Sequence, residues 1–274
     1  MAAGEEDVLP RISPESDARV VMVNRPSVRL HVFDGGEGGL PVLFVHGLAG
    51  DSGVWAGALS HLRATRRAAA FDLRGHGRST LPADGRYAIE DLASDVGAVA
   101  DELGFRRFVL VGHSLGGAVV GCYAGAHPDR IAGLLLVDPA GDVSKLPKAR
   151  VRATRRGMEP ATFRKFMEGW FGKTLLPEKP ETEAEVFSTL RRTDPRAASA
   201  AYAGLAAYHP VAPLKSYRGP AALLVRPGTT GPLSIRALLP SIPAEEVPET
   251  GHWIMLDDPE TFHAKLDTFL AKLK

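Results

Sequence analysis

This 274-residue sequence predicts an α/β protein. Its mostly parallel central sheet is flanked by helices and interrupted late in the chain by an all-helical insertion. Three observations carry that reading. Short apolar, β-branched runs recur and end at Gly, Asp or His, as buried strands do. Helical apolar spacings lie between the later runs, so the strands are joined by crossovers and run parallel. The β-like runs then vanish between about Asp142 and His209 and return afterwards.

Residues 1–18 are polar, carry Pro10 and Pro14, and are expected to form a poorly ordered tail. The first strand candidates are Val20–Val23 and Val28–Phe33, an early antiparallel pair whose following turn would be closed by Asp34-Gly35-Gly36. Val42–Val45, Ala68–Phe71, Phe108–Val111 and Leu134–Val137 continue the sheet. Ile89, Leu92, Ala93, Val96, Ala100 and Leu103 repeat at helical spacing and stop at Gly104, a C-terminal cap. In the insertion, Pro160 is placed to open a helix. The apolar face of that helix would be Phe163, Phe166, Met167, Trp170 and Phe171. Strands return at Ala221–Val225 and near Ala244–Val247, and a last amphipathic helix uses Phe262, Leu266, Phe269, Leu270 and Leu273. The expected organisation is a tail over 1–18, a core made of 19–141 and 210–274, and a helical lid over 142–209.

Composition narrows the function classes. A 45% hydrophobic, 24% charged chain is that of a globular protein with a sizeable core. A formal net charge of +1 gives no global reason to expect nucleic-acid binding. No apolar run reaches the roughly 18 residues that span a bilayer, so no stable membrane anchor is expected. The acidic start MAAGEEDVLP lacks the basic and apolar regions of a secretory signal, which points to a cytoplasmic protein. The single cysteine, Cys122, forbids an intramolecular disulfide. No His/Cys cluster or carboxylate spacing suggests a metal.

The segment Val109 to Ala118 contains Gly112-His113-Ser114-Leu115-Gly116, a Gly-x-Ser-x-Gly motif between a β-run and an Ala/Val/Gly-rich helical run. A sharp strand-to-helix turn there would hold Ser114 in strained geometry, lift its hydroxyl above the sheet edge and set a helix N-terminus beneath developing negative charge. A Gly-rich structural turn is the plainer alternative for the motif alone.

Three further segments complete a resemblance to the α/β-hydrolase family, in its lidded, carboxylesterase-like group. Phe44-Val45-His46-Gly47-Leu48 resembles the family's His-Gly segment after the third strand. Phe71-Asp72-Leu73-Arg74-Gly75-His76-Gly77-Arg78-Ser79 resembles its Asp-x-Arg-Gly-x-Gly-x-Ser turn, and Gly251-His252-Trp253 its histidine loop. The resemblance runs from about residue 20 to the end and is weakest in the insertion. It implies Ser114 as nucleophile, His252 as general base and then acid, and the backbone N–H groups of Leu48 and Leu115 as oxyanion donors. His46 and the Asp72–Ser79 turn read as structural, the role of His113 stays open, and Cys122 reads as a small helix residue rather than a second nucleophile.

The family's third group breaks the pattern. Its usual aspartate follows the seventh strand, but that position holds Gly231, and no carboxylate occurs between Ala221 and Pro243. Asp138, at the end of the sixth strand, is the expected replacement. Asp142, Glu249 and a serine–histidine dyad are the alternatives. The implied chemistry is acyl transfer on a small-molecule ester with an apolar acyl or alcohol part, with no cofactor and no metal. Lactone, amide and carbon–carbon hydrolysis, perhydrolysis and weakly catalytic ligand binding remain alternatives on the same core. Oligomeric state is not legible. The Phe163–Phe171 ridge would either line an acyl pocket or pack the insertion onto the core. From Lys145 to Lys165 there are eight basic residues and one acid, Glu159, read as a solvated face rather than an anion site.

Overall fold

The computed structural model describes residues 19–174 and 179–273; the expected N-terminal tail lies outside them. Eight strands form one sheet: β1 (Arg19–Asn24), β2 (Arg29–Gly35), β3 (Val42–Val45), β4 (Ala68–Phe71), β5 (Phe108–His113), β6 (Ile131–Val137), β7 (Ala221–Val225) and β8 (Ala244–Glu246). Their spatial order is β1-β2-β4-β3-β5-β6-β7-β8. Only the β1–β2 and β2–β4 pairings are antiparallel. Every step from β4 onward is parallel.

The central strands are buried at every position, and apolar up to His113 at the end of β5, because both faces are covered. Along β3, Leu43 and Val45 enter one core cluster and Val42 and Phe44 the other. The same two-residue alternation runs along β5, with Phe108 and Leu110 on the first face and Val109 and Val111 on the second. The first face packs against α2 (Ile89–Glu102) and α3 (Leu115–Ala126), as the apolar positions of both helices in that cluster show. The second packs against α1 (Ala56–Arg63) and α11 (Pro259–Ala271).

Between β6 and β7 lie α4 (Lys148–Gly157), α5 (Phe163–Thr174), α6 (Pro180–Arg192), α7 (Pro195–Ala207) and α8 (Val211–Ser216). Helix α8 packs on α3 of the core. Two short helices, α9 (Ile235–Leu238) and α10 (Ile254–Asp257), complete the described chain. Among the described residues, no helix is long and apolar enough to cross a membrane.

Helix α2 ends as expected: Phe105 N–H donates to Ala100 O (2.8 Å), Gly104 N–H donates to Asp101 O (3.0 Å), and Gly104 sits at φ +70°. That pair of bonds is a Schellman cap. Two turns differ. Asp34 and Gly35 extend β2, pairing with Ala69 and Ala68 of β4, so the chain turns only from Gly36. The Asp34 carboxylate is held in the strand by Arg67 and Arg19. Pro160 does not open α5, which begins at Phe163; the Thr162 hydroxyl instead donates back to Gly157 O (3.0 Å) at the end of α4.

β3 is the switch point of the sheet. Its chain-order successor β4 lies on one side and β5 on the other, so the loops after β3 and β5 diverge at the C-terminal edge. Crevices at such edges are where open α/β sheets bind ligands.

Candidate active site

The Gly-x-Ser-x-Gly turn joins β5 to α3. Ser114 sits at φ +52°, ψ −116°, a region that L-residues rarely enter. Its flanking glycines are steric necessities. A Cβ on Gly112 would stand 2.5 Å from Gly116 O, and one on Gly116 would stand 2.4 Å from Val45 O and 2.6 Å from His46 O. The turn is also tied to its neighbours. Ser114 N–H donates to Val137 O of β6 (3.1 Å), and Ser114 O accepts from Gly117 N (2.9 Å) and Ala140 N (3.0 Å).

His252 follows β8 in sequence and packs beside this turn. Its Nδ1 lies 2.6 Å from Asp138 Oδ2. A carboxylate only accepts, so Nδ1 carries the proton and Nε2 is left to face another partner. Both groups are nearly buried. The backbone of the histidine loop is braced on two sides. His113 Nε2–H donates to the His252 carbonyl (2.8 Å), and Gly251 N–H donates to Asp257 Oδ2 (2.7 Å). Burial, and then the neighbouring His252, hold the His113 imidazole well below its ordinary range. It is therefore a neutral donor, not an acid–base group.

Asp138 leaves β6 at φ +36° and is anchored by Asp138 N–H to Leu224 O (2.7 Å). Its side chain is met from the loop after β7. Thr229 Oγ1 donates to Asp138 Oδ1 (3.2 Å), Arg226 N approaches the same oxygen (3.4 Å), and Arg226 Nε stands 3.4 Å from Oδ2. So the loop that lacks a carboxylate supplies donors to the carboxylate on the preceding strand. The two rivals are elsewhere. Asp142 Oδ1 accepts from Ser144 Oγ, which in turn accepts from His209 Nδ1 (2.8 Å), pinning together the two ends of the helical insertion. Glu249 is exposed, at φ +56°.

Ser114, His252, Leu48 and Leu115 line one cavity of about 220 Å³. Leu115 is the first residue of α3, whose leading N–H groups have no acceptor within the helix. The opposite wall comes from the insertion: Leu146, Arg150 and Thr154 around α4, Trp170 and Phe171 of α5, and Tyr202 and Leu205 of α7. Along the α5 ridge, Phe163, Met167 and Phe171 are buried in the second core cluster with Phe166 and Trp170 packed against it, and Trp170 and Phe171 also line the cavity. Phe171 meets Trp253 edge-on at 5.1 Å.

The remaining motif residues make structure. His46 Nδ1–H donates to Gly47 O (2.8 Å) and its Nε2 accepts from Leu73 N (2.9 Å), which fixes one neutral tautomer. Burial lowers both His46 and His76 to about 4. Asp72 accepts from Ser52 N (2.8 Å), Ser52 Oγ (2.6 Å) and Arg78 N (2.8 Å), and Arg74 grips buried Asp95 with two bonds. Burial raises the Cys122 thiol, which makes it a poor nucleophile. Sequence reasoning missed Arg226, Thr229, Asp257 and the α7 wall. Only the acid-free loop after β7 hinted that Asp138 would need partners there. Among the described residues, no group of three or more His, Cys, Asp or Glu could hold a metal ion.

Residues 41–215 match the family model described as alpha/beta hydrolase fold, and the chain belongs to that family. It is 43% identical over 107 residues to the dihydrolipoyllysine-residue acetyltransferase component of the acetoin cleaving system of Pseudomonas putida, covering 39% of this chain and 29% of that protein. It is 38% identical over 104 residues to (lyso)-N-acylphosphatidylethanolamine lipase of Homo sapiens, covering 37% and 30%. The matched stretch therefore spans under a third of these curated relatives. A thermophilic esterase from Thermogutta terrifontis superimposes with a TM-score of 0.80 at 26% identity, over 93% of this chain and 99% of that one. The enol-lactonase from Burkholderia xenovorans LB400 shares the fold at 21% identity, with a TM-score of 0.79 over 89% and 97%.

Proposed function

We propose that this family member is a serine hydrolase that cleaves carboxylic esters through an acyl-enzyme on Ser114. The single observation that carries this reading is the 2.6 Å bond from His252 Nδ1–H to Asp138, beside a serine held in strained geometry at the same cavity. The bond orients the imidazole and stabilises its cationic form, so Nε2 is free to take the Ser114 proton. Attack on the ester carbonyl makes a tetrahedral oxyanion, received by the N–H groups of Leu48 and Leu115. The protonated His252 returns its proton to the departing alcohol. Water, deprotonated by the same nitrogen, then attacks the acyl-enzyme and releases the acid with Ser114 restored. In this reading α4–α7 form a lid that supplies the apolar wall for the acyl or alcohol part. The likeness to an esterase over nearly the whole chain supports the ester class.

The test is hydrolysis of p-nitrophenyl acetate, butyrate and octanoate, with labelling by an activated phosphonate. Turnover and labelling are expected, with a loss of about 10⁴-fold or more in Ser114→Ala. A protein that neither turns over any of the three esters nor takes the label is not a serine hydrolase.

A further inference from the structure

We infer that the substrate carries an anionic group, a carboxylate remote from the scissile bond, which Arg150 receives at the mouth of the catalytic cavity. This rests on the serine-hydrolase reading. The cavity wall contributed by the insertion is otherwise apolar or neutral: Leu146, Trp170, Phe171, Tyr202 and Leu205, with Thr154 the one hydroxylated aliphatic. No Asp or Glu lines the cavity; Asp138 lies behind His252, not on the wall.

The position of Arg150 is set by helical spacing. Arg150 and Thr154 fall at i and i+4, one stripe of α4, and both line the cavity, as does Leu146 in the extended segment before the helix. The neighbouring cations Lys148, Arg152 and Arg155 do not line it. Arg150 is exposed like them, and it is the one cation of this basic stretch that also lines the cavity. Among the described residues no carboxylate pairs with it. The surrounding charge reinforces the choice. Between Lys145 and Arg156 there are six cations and no acid, so positive charge surrounds the one of them that lines the cavity, and such a field raises the local concentration of anionic ligands. A guanidinium at an apolar wall matches a carboxylate with two parallel N–H···O bonds, which an ammonium or amide does not offer. An apolar chain ending in a carboxylate satisfies both features, whereas a wholly apolar acyl group satisfies one.

The experiment compares esters of equal length that differ by one charge. One arm pairs p-nitrophenyl hydrogen suberate with its terminal amide, p-nitrophenyl 7-carbamoylheptanoate, which puts the anion on the acyl part. The other pairs 4-carboxyphenyl octanoate with 4-carbamoylphenyl octanoate, which puts it on the alcohol part. At low salt, the charged ester of one arm is expected to have a kcat/KM about tenfold above its neutral partner, falling as salt is added. Arg150→Gln is expected to bring the charged-to-neutral ratio down about tenfold, and Arg150→Lys to keep part of it. Equal kcat/KM within both pairs, or an unchanged ratio in Arg150→Gln, overturns the assignment. A binding readout separates this from failure of the hydrolase reading. Octanoate and octanamide are titrated against Ser114→Ala by tryptophan fluorescence. Tighter octanoate binding that Arg150→Gln abolishes supports the anion site even without turnover; equal binding of the two overturns it.

Discussion

Two regions wall the same cavity, and they are held in different ways. At the C-terminal edge of the sheet, backbone geometry leaves almost no freedom. Gly112 and Gly116 admit no side chain, Ser114 and Asp138 sit at positive φ, and each is tied by main-chain bonds to the neighbouring strand. In the insertion, Trp170, Phe171 and Tyr202 reach the cavity from ordinary helices, with no backbone constraint on which apolar residue stands there. The difference teaches where function is encoded. In the proposed hydrolysis the rigid edge sets the reaction, since charge must be met within tenths of an ångström, and the insertion sets what fits, since apolar contact tolerates substitution of similar volume.

That contrast makes unequal predictions. The largest effect belongs to Asp138→Asn, expected to cost about 10⁴-fold in turnover because the amide no longer holds the His252 tautomer. Asparagine tolerates positive φ, so circular dichroism and the unfolding midpoint stay near the parent values. Asp142→Asn, at the clasp between the ends of the insertion, is expected to leave most turnover in place. Near-normal turnover in Asp138→Asn removes the carboxylate from the edge's machinery.

Next comes Gly116→Ala. Its Cβ meets two backbone oxygens that cannot swing aside, so the substitution costs about 3 kcal/mol, which lowers Tm by about 10 °C. Calorimetry checks this, and a variant with the parent Tm would show that the edge is softer than its contacts imply. The smallest effect falls on the insertion. Trp170→Ala opens the cavity wall and is expected to lower kcat/KM for p-nitrophenyl octanoate about tenfold relative to acetate. An equal loss on both esters would place Trp170 with the reaction rather than with the fit.

How much of this was legible differs by region for the same physical reason. Strand runs, the α2 cap at Gly104 and the motifs around Ser114 and His252 are local: a strained turn needs its glycines, and a buried strand needs apolar residues on both faces, whatever lies elsewhere. The turn after β2 and the start of α5 differ from the local pattern because side-chain bonds decide them. Arg67 and Arg19 hold Asp34 in a strand, and the end of α4 occupies Thr162.

The sequence by itself determined the family, the parallel sheet and the serine on its turn, because each rests on residues adjacent in the chain. Only the tertiary structure decided which carboxylate meets His252. Asp138 stands 114 positions away, and the 2.6 Å contact exists because β6 and the loop after β8 end at the same edge. The same holds for Arg150. Nothing in a run of six cations marks one of them, until the path of α4 over the sheet turns that one toward the cavity.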